Sequence, residues 1–79
     1  MKAERILIVD DDETIRSTLG DYFTDIGYDV MTADDGEDAL TKFIPEKFDC
    51  IISDLFMPVI DGLELLKRIR LQDSDVSFL

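Results

Sequence analysis

The stretch Ile6-Leu7-Ile8-Val9-Asp10-Asp11-Asp12 begins as an unbroken apolar run and ends in three acids. Such a run is typical of a parallel strand that is covered on both faces. A helical pattern follows, which predicts Asp12 as its N-cap and Gly27 as its stop. Its apolar positions share one face of a helix, and they are Ile15, Leu19, Tyr22 or Phe23, and Ile26.

A second strand and helix follow the first pair. Residues 28–33 are predicted to form the strand, and Asp34-Asp35-Gly36 the turn. Pro45 comes just past the end of the predicted helix. The apolar face of that helix is expected to comprise Ala39, Leu40, Phe43 and Ile44.

The third unit begins with the strand Cys50-Ile51-Ile52-Ser53, which leads into Asp54. Asp61-Gly62 opens a third helix, residues 72–75 are expected to form a loop, and residues 76–79 begin a fourth strand. The apolar side of the third helix is predicted to carry Leu65, Leu66 and Ile69.

Strands that alternate with helices of this length predict an α/β fold with right-handed crossovers and a parallel sheet. We expect one small domain over residues 1–79. The chain has a net charge of −11, and this negative field disfavours binding to nucleic acid or anionic lipid. No apolar run has the length of a membrane span, and residues 1–5 lack a signal-peptide pattern, so a cytoplasmic location is expected. The single cysteine, Cys50, is expected to be a buried, reduced thiol.

Three carboxylates follow strand ends in this pattern: Asp10, Asp11 and Asp54. The carboxyl ends of parallel strands line the crevice where open α/β sheets bind ligands. If the first and third strands are neighbours, the carboxylates converge, although the sequence does not fix the strand order. An all-oxygen site without His or thiolate ligands favours Mg²⁺, which serves phosphoryl transfer by neutralising charge. Asp54 is then the best candidate nucleophile.

Several acids have a simpler interpretation. Asp12 and Asp61 are better explained as helix caps, and Asp34-Asp35 as turn residues. Even Asp10, Asp11 or Asp54, taken alone, is compatible with a solvated strand end. Only their combination indicates a functional site.

The combination resembles the response-regulator receiver family. The apolar strand ending in paired acids matches that family, as does Asp54-Leu55-Phe56-Met57-Pro58-Val59-Ile60-Asp61-Gly62. The resemblance implies a flavodoxin-like, doubly wound parallel sheet in the order 2-1-3-4-5. It also implies that Asp54 accepts a phosphoryl group from a sensor histidine kinase or a phosphotransfer protein, as a signalling domain rather than an enzyme.

The resemblance further assigns roles around the metal. Asp11, Asp54 and the backbone carbonyl of Phe56 would ligate Mg²⁺, and Asp10 would act through a coordinated water. Met57 and Pro58 would shape the loop, and Asp61-Gly62 would start the third helix.

The family also has a Ser or Thr after strand four, and a Lys and an aromatic residue at strand five, which residues 1–79 do not include. The lysines at 2, 42, 47 and 67 do not lie at strand ends. We therefore expect the N-terminal part of a receiver domain, comprising three βα units and the start of strand four, with an output domain beyond it. An open sheet edge and an exposed apolar face would then favour self-association, as a dimer or a swapped assembly.

Two other functions remain open. Residues 6–14 also fit the first motif of haloacid-dehalogenase-like phosphatases, an apolar strand followed by Asp-x-Asp-x-Thr, with Asp10 as nucleophile. A receiver-like fold can also serve as a dimerisation module without phosphorylation.

Overall fold

The computed structural model describes residues 3–79, so Met1 and Lys2, with the expectations placed on them, lie outside it. Strands and helices alternate along the chain as predicted. They are β1 (Arg5–Val9), α1 (Glu13–Asp25), β2 (Asp29–Ala33), α2 (Gly36–Lys42), β3 (Cys50–Ser53), α3 (Gly62–Gln72) and β4 (Ser77–Phe78).

The four strands form one parallel sheet in the order β2-β1-β3-β4. Val9 pairs with Ala33 on one side and with Ser53 on the other. Three strands therefore end at the same level, and the residues that follow them meet at one edge of the sheet. The predicted adjacency of the first and third strands is confirmed.

One face of the sheet carries the main core. Leu7, Val9 and Ile51 alternate toward α2 and α3 and are buried there. The helices contribute the predicted positions Ala39, Leu65 and Ile69, and Phe43, directly after α2, is buried with them, whereas Leu66 is only half-buried. Burial of these side chains is the main source of stability for a sheet of this size.

The opposite face is only partly covered. Ile6 and Ile8 are buried there, but α1, which packs against β1 and β2, has no buried residue. Leu19 and Phe23 are half-buried, and the predicted positions Ile15, Tyr22 and Ile26 are exposed. The predicted apolar stripe of α1 is therefore wrong as a description of a core, because no element within residues 3–79 packs over its outer half.

A groove of about 380 Å³ runs along this open face, lined partly by Phe23, Cys50, Ile52 and Leu79. The expectation that Cys50 is buried is wrong, because the residue lies in this groove and is half-exposed. Desolvation raises the pKa of the Cys50 thiol, and the negative charges of Glu4 and Asp49 add to the increase.

The predicted caps Asp12 and Asp61 are confirmed, and Asp35, which was predicted as a turn residue, is the N-cap of α2. The carboxylates of Asp12, Asp35 and Asp61 each accept a backbone N–H from the first turn of α1, α2 and α3. Gly27 adopts a φ of 105° just past α1, as its predicted role as a stop requires. The expectation that Ile44 is core is wrong: α2 ends at Lys42, Phe43 turns to extended backbone, and Ile44 then points to solvent.

Several element boundaries differ by one residue from the prediction: the first strand begins at Arg5 rather than Ile6, and the fourth comprises Ser77–Phe78 rather than residues 76–79. The second strand begins at Asp29, and α3 continues through Gln72 before its loop. Among residues 3–79, no helix combines the length and apolarity that a membrane crossing requires.

Candidate metal centre

The candidate site lies where β1 and β3 end side by side. The backbone N–H of Asp54 donates to the carbonyl of Val9 at 3.0 Å, and that of Asp10 donates to Ala33 at 3.2 Å. The ladder therefore continues one residue past each strand. Backbone hydrogen bonds therefore hold the acidic residues in place, and their side chains are free to line the crevice at the ends of the strands.

Asp10, Asp11 and Asp54 each offer a carboxylate oxygen, and these oxygens lie within 4.8 Å of one another. Asp10 is buried, with 7% exposure, Asp54 is half-buried and Asp11 is exposed. Two unit charges about 4 Å apart repel by roughly 4 kcal/mol at an effective dielectric of about 20. A hard divalent cation relieves this repulsion, and three carboxylate oxygens fit the ligand preference of Mg²⁺.

Besides its backbone N–H, which donates to the Ala33 carbonyl, Asp10 is held at two of its oxygen atoms. Its carboxylate Oδ1 accepts the backbone N–H of Asp12 at 2.9 Å, and its carbonyl accepts Nη1 of Arg16 at 2.9 Å. The carboxylate of Asp12 points instead into the first turn of α1, where it accepts from Thr14 and Ile15. Asp12 is thus a cap, as predicted, and only Asp10 and Asp11 of the acidic run join the cluster.

Asp54 is fixed by its neighbours in sequence and by α3. Its Oδ1 accepts the backbone N–H of Phe56 at 3.3 Å, and its carbonyl accepts the Ser53 hydroxyl at 2.9 Å. A Cβ placed on Gly62 would lie 2.5 Å from that same carbonyl oxygen. Gly62 therefore permits a close approach between the start of α3 and the backbone of Asp54, a role that Asp61-Gly62 as a helix start did not predict.

The loop after Asp54 is anchored at two positions and strained at one. Met57 and Ile60 are buried, and a Cβ on Gly36 would lie 2.7 Å from Ile60 Cβ. Between them, Val59 has a φ of 67° and Ile60 N–H donates to the Pro58 carbonyl at 2.8 Å, which closes a tight three-residue turn. A left-handed conformation is costly for a β-branched residue, so this turn stores strain beside the site.

Lys42, which was not predicted to take part in the site, is the last residue of α2, and its side chain reaches β2. Its Nζ donates to the Thr32 carbonyl at 2.7 Å and pairs with Asp38 at 3.1 Å. Desolvation, the largest contribution, acts to raise the pKa of Asp38. The hydrogen bonds from Lys42 and from the Asp34 backbone, with the Lys42 charge, outweigh it and lower that pKa. Lys42 thus joins α2 to β2 and is already paired.

Sequence reasoning missed Arg16, Ser53 and the backbone contact at Gly62. The spacing of Arg16 is a partial signal, because it follows Asp10 by six residues and lies in the first turn of the helix after the strand. Ser53 and Gly62 carry no sequence signal that separates them from ordinary strand and helix-start residues.

Known proteins are similar to this chain in sequence and in fold. The family model for the response regulator receiver domain matches residues 6–79. The alkaline phosphatase synthesis transcriptional regulatory protein PhoP of Bacillus subtilis is 46% identical over 69 residues, which are 87% of this chain and 29% of that protein. The chain spans about 30% of the length of the curated relatives it matches.

Solved structures agree with this match. The response regulator TrrA of Thermotoga maritima, solved in complex with Mg²⁺-BeF, superposes with a TM-score of 0.88 at 41% identity. The alignment covers 95% of this chain and 65% of TrrA. A complex of the histidine kinase ThkA with TrrA gives a TM-score of 0.86 at 41% identity, over the same 95% and 65% of the two chains.

These matches favour the receiver interpretation over the phosphatase alternative. They cover both acidic segments and the sheet order that brings them together. The chain therefore belongs to the response regulator receiver domain family.

Proposed function

We propose that Asp54 accepts a phosphoryl group and that the chain acts as the receiver of a two-component signalling system. The observation that carries the proposal is the grouping of the Asp10, Asp11 and Asp54 oxygens within 4.8 Å at the end of two adjacent strands. Of the three, Asp54 is alone on its strand and half-exposed, so an incoming phosphoryl group can reach it.

Asp11 and Asp54, with the backbone carbonyl of Phe56, would hold Mg²⁺ directly, and the buried Asp10 would act through a water. A Mg²⁺ ion bound there would neutralise charge on the phosphoryl oxygens. That TrrA was solved with Mg²⁺-BeF supports this assignment. Met57 and Pro58 would keep the loop in shape, and Asp61 and Gly62 would hold α3 against Asp54.

In the proposed reaction, a carboxylate oxygen of Asp54 attacks the phosphorus of a phosphohistidine. The P–O bond forms as the P–N bond breaks, and the departing imidazole nitrogen takes up a proton. The product is an acyl phosphate, which water later hydrolyses to inorganic phosphate and the free carboxylate. Such a reactive bond suits a reversible switch.

Labelling with acetyl phosphate and Mg²⁺ tests this proposal by intact-protein mass spectrometry. We expect a mass increase of one phosphoryl group in the wild type and none in Asp54→Asn. Asp21→Asn, an identical change on the exposed surface of α1, is the matched control and should label normally. Borohydride reduction before proteolysis would mark the labelled aspartate as homoserine.

The alternatives predict other results. Loss of label in Asp10→Asn with full labelling of Asp54→Asn would support the phosphatase mechanism. An unlabelled wild type whose melting temperature does not respond to Mg²⁺ would support an interaction module, because a ligand that binds only the folded state raises stability by RT ln(1 + [L]/Kd).

We further propose that the chain is the N-terminal part of a receiver domain within a longer regulator. The alignments support this, because they cover only 29% of the length of PhoP and 65% of that of TrrA. A sensor histidine kinase as phosphodonor is supported by the ThkA–TrrA complex, and an output domain by the transcriptional regulators among the relatives. The residues after Leu79 test whether the receiver domain continues: a Ser or Thr within a few residues, and a Lys one βα unit later, would complete the site.

A further inference from the structure

We propose that Arg16 is a positioning residue of the acidic site, and that it sets the affinity of the site for a divalent cation by fixing the peptide between Asp10 and Asp11. The inference rests on the proposed function, because it concerns the same cation. It starts from a single contact, in which Arg16 Nη1 donates to the Asp10 carbonyl at 2.9 Å.

The contact joins the first turn of α1 to the residue that follows β1. Arg16 lies in the first turn of α1, where its backbone N–H donates to the Asp12 carbonyl at 2.9 Å. Its side chain reaches back across the turn to the residue that follows β1. The half-buried guanidinium therefore spans the acidic loop from its helical side to its strand side.

The Asp10 carbonyl belongs to the peptide plane that leads into Asp11. A donor on that oxygen fixes the rotation of the plane, and the plane sets the direction in which the Asp11 side chain leaves the backbone. The other two bonds of Asp10, to Ala33 and from Asp12, hold its N–H and its carboxylate but not this carbonyl. Arg16 thus acts on the orientation of Asp11, the exposed member of the cluster.

Charge and position have opposite effects here, so the sign of the result separates them. A guanidinium close to the site repels an incoming cation, and its removal would tighten cation binding if charge were its main effect. If it orients the loop, its removal weakens binding, as loss of a partner behind a metal ligand usually does.

Calorimetric titration with Mg²⁺ alone tests the proposal in three variants of the full chain. For Arg16→Met we expect the Kd for Mg²⁺ to rise about tenfold, within the range for outer partners of metal ligands. Arg16→Lys keeps a donor and the charge and should recover most of the affinity. Arg68→Met, which removes an exposed arginine paired with Glu64 on α3, is the matched control and should bind as the wild type does.

Circular dichroism at the titration temperature shows which variants are folded, and Arg16→Lys carries the test if Arg16→Met is not. An unchanged or lower Kd in folded Arg16→Met would overturn the inference, as would an Arg16→Lys affinity no better than that of Arg16→Met. A wild type that binds no Mg²⁺ would overturn the proposed function as well. Normal labelling of Asp54 together with an unchanged Kd in Arg16→Met would remove only the role of Arg16.

Discussion

Replacing Gly62 with alanine is the most direct test of how Asp54 is held. The added Cβ would lie 2.5 Å from the Asp54 carbonyl oxygen and 2.9 Å from Leu55 Cα. Both neighbours are backbone atoms, so no flexible side chain can move aside. To reach even 3.0 Å, either α3 or the peptide after Asp54 must shift by about half an ångström.

Two effects of opposite sign decide the magnitude. Overpacking against a fixed neighbour typically costs about 1–3 kcal/mol. Alanine in place of glycine within a helix returns up to about 1 kcal/mol, and less at the first turn. We expect a net loss of about 1–2 kcal/mol, and a fall of roughly 4–8 °C in melting temperature for each kcal/mol in a domain of this size.

Gly20→Ala in α1 is the matched control for Gly62→Ala. Its added Cβ would lie 3.6 Å from Thr32 Cγ2, which is ordinary contact, so the helix propensity term acts alone and should raise the melting temperature. Thermal unfolding followed by circular dichroism measures both variants. A Gly62→Ala protein as stable as Gly20→Ala would refute the argument that this close approach holds the Asp54 backbone.

Three other measurements test features outside that contact. Val59→Gly should be about 1 kcal/mol more stable than Val59→Ala in denaturant unfolding, because only glycine adopts the φ of 67° without strain, and equal stabilities would contradict the strain. The backbone N–H of Glu46, and then those of Asp75 and Val76, lower the pKa of Asp73. The stabilising effect of the Asp73 carboxylate should therefore be complete above the unfolded pKa of about 3.9, and it should be lost as the pH falls through the lower folded pKa. If the free energy of unfolding falls as steeply with pH in Asp73→Asn as in the wild type, this prediction is contradicted. The edge strand β4 and the open groove predict self-association, which light scattering across a concentration series would disprove if the chain stays monomeric.

Much of this fold could be predicted because each strand is marked by a short apolar run in the sequence. The buried run at Ile6–Val9 and the strand at Cys50–Ser53 were both found within a residue of their observed bounds. The capping aspartates at 12 and 61 were also correct, because a cap depends only on its own first turn. The cluster of Asp10, Asp11 and Asp54 needed one further fact, the adjacency of β1 and β3, which came from the family resemblance and not from the residues.

The errors arose where a residue's environment depends on distant elements. The period of α1 predicted a buried stripe, but periodicity says only which residues share a face. In the described part of the chain, no element covers the outer part of that face. Ile44 has the right spacing for the core of α2, yet the helix ends two residues earlier and the chain turns away. The positive φ of Val59 could not be predicted either, because valine disfavours that conformation. The buried neighbours Met57 and Ile60 impose it.

The placement of the acids explains how so small a domain tolerates them. Each repelling pair costs roughly 4 kcal/mol at about 4 Å, a large part of the total stability of about 5–15 kcal/mol. The fold resists this repulsion because the carboxylates are attached just beyond a ladder of backbone hydrogen bonds, which extends to Asp10 and Asp54 themselves. The interiors of the strands therefore supply the stability, and the strand ends hold charges whose mutual repulsion lowers it. A cation between those ends would turn the same repulsion into binding energy, which is why we propose that the strand ends, rather than the core, carry the function.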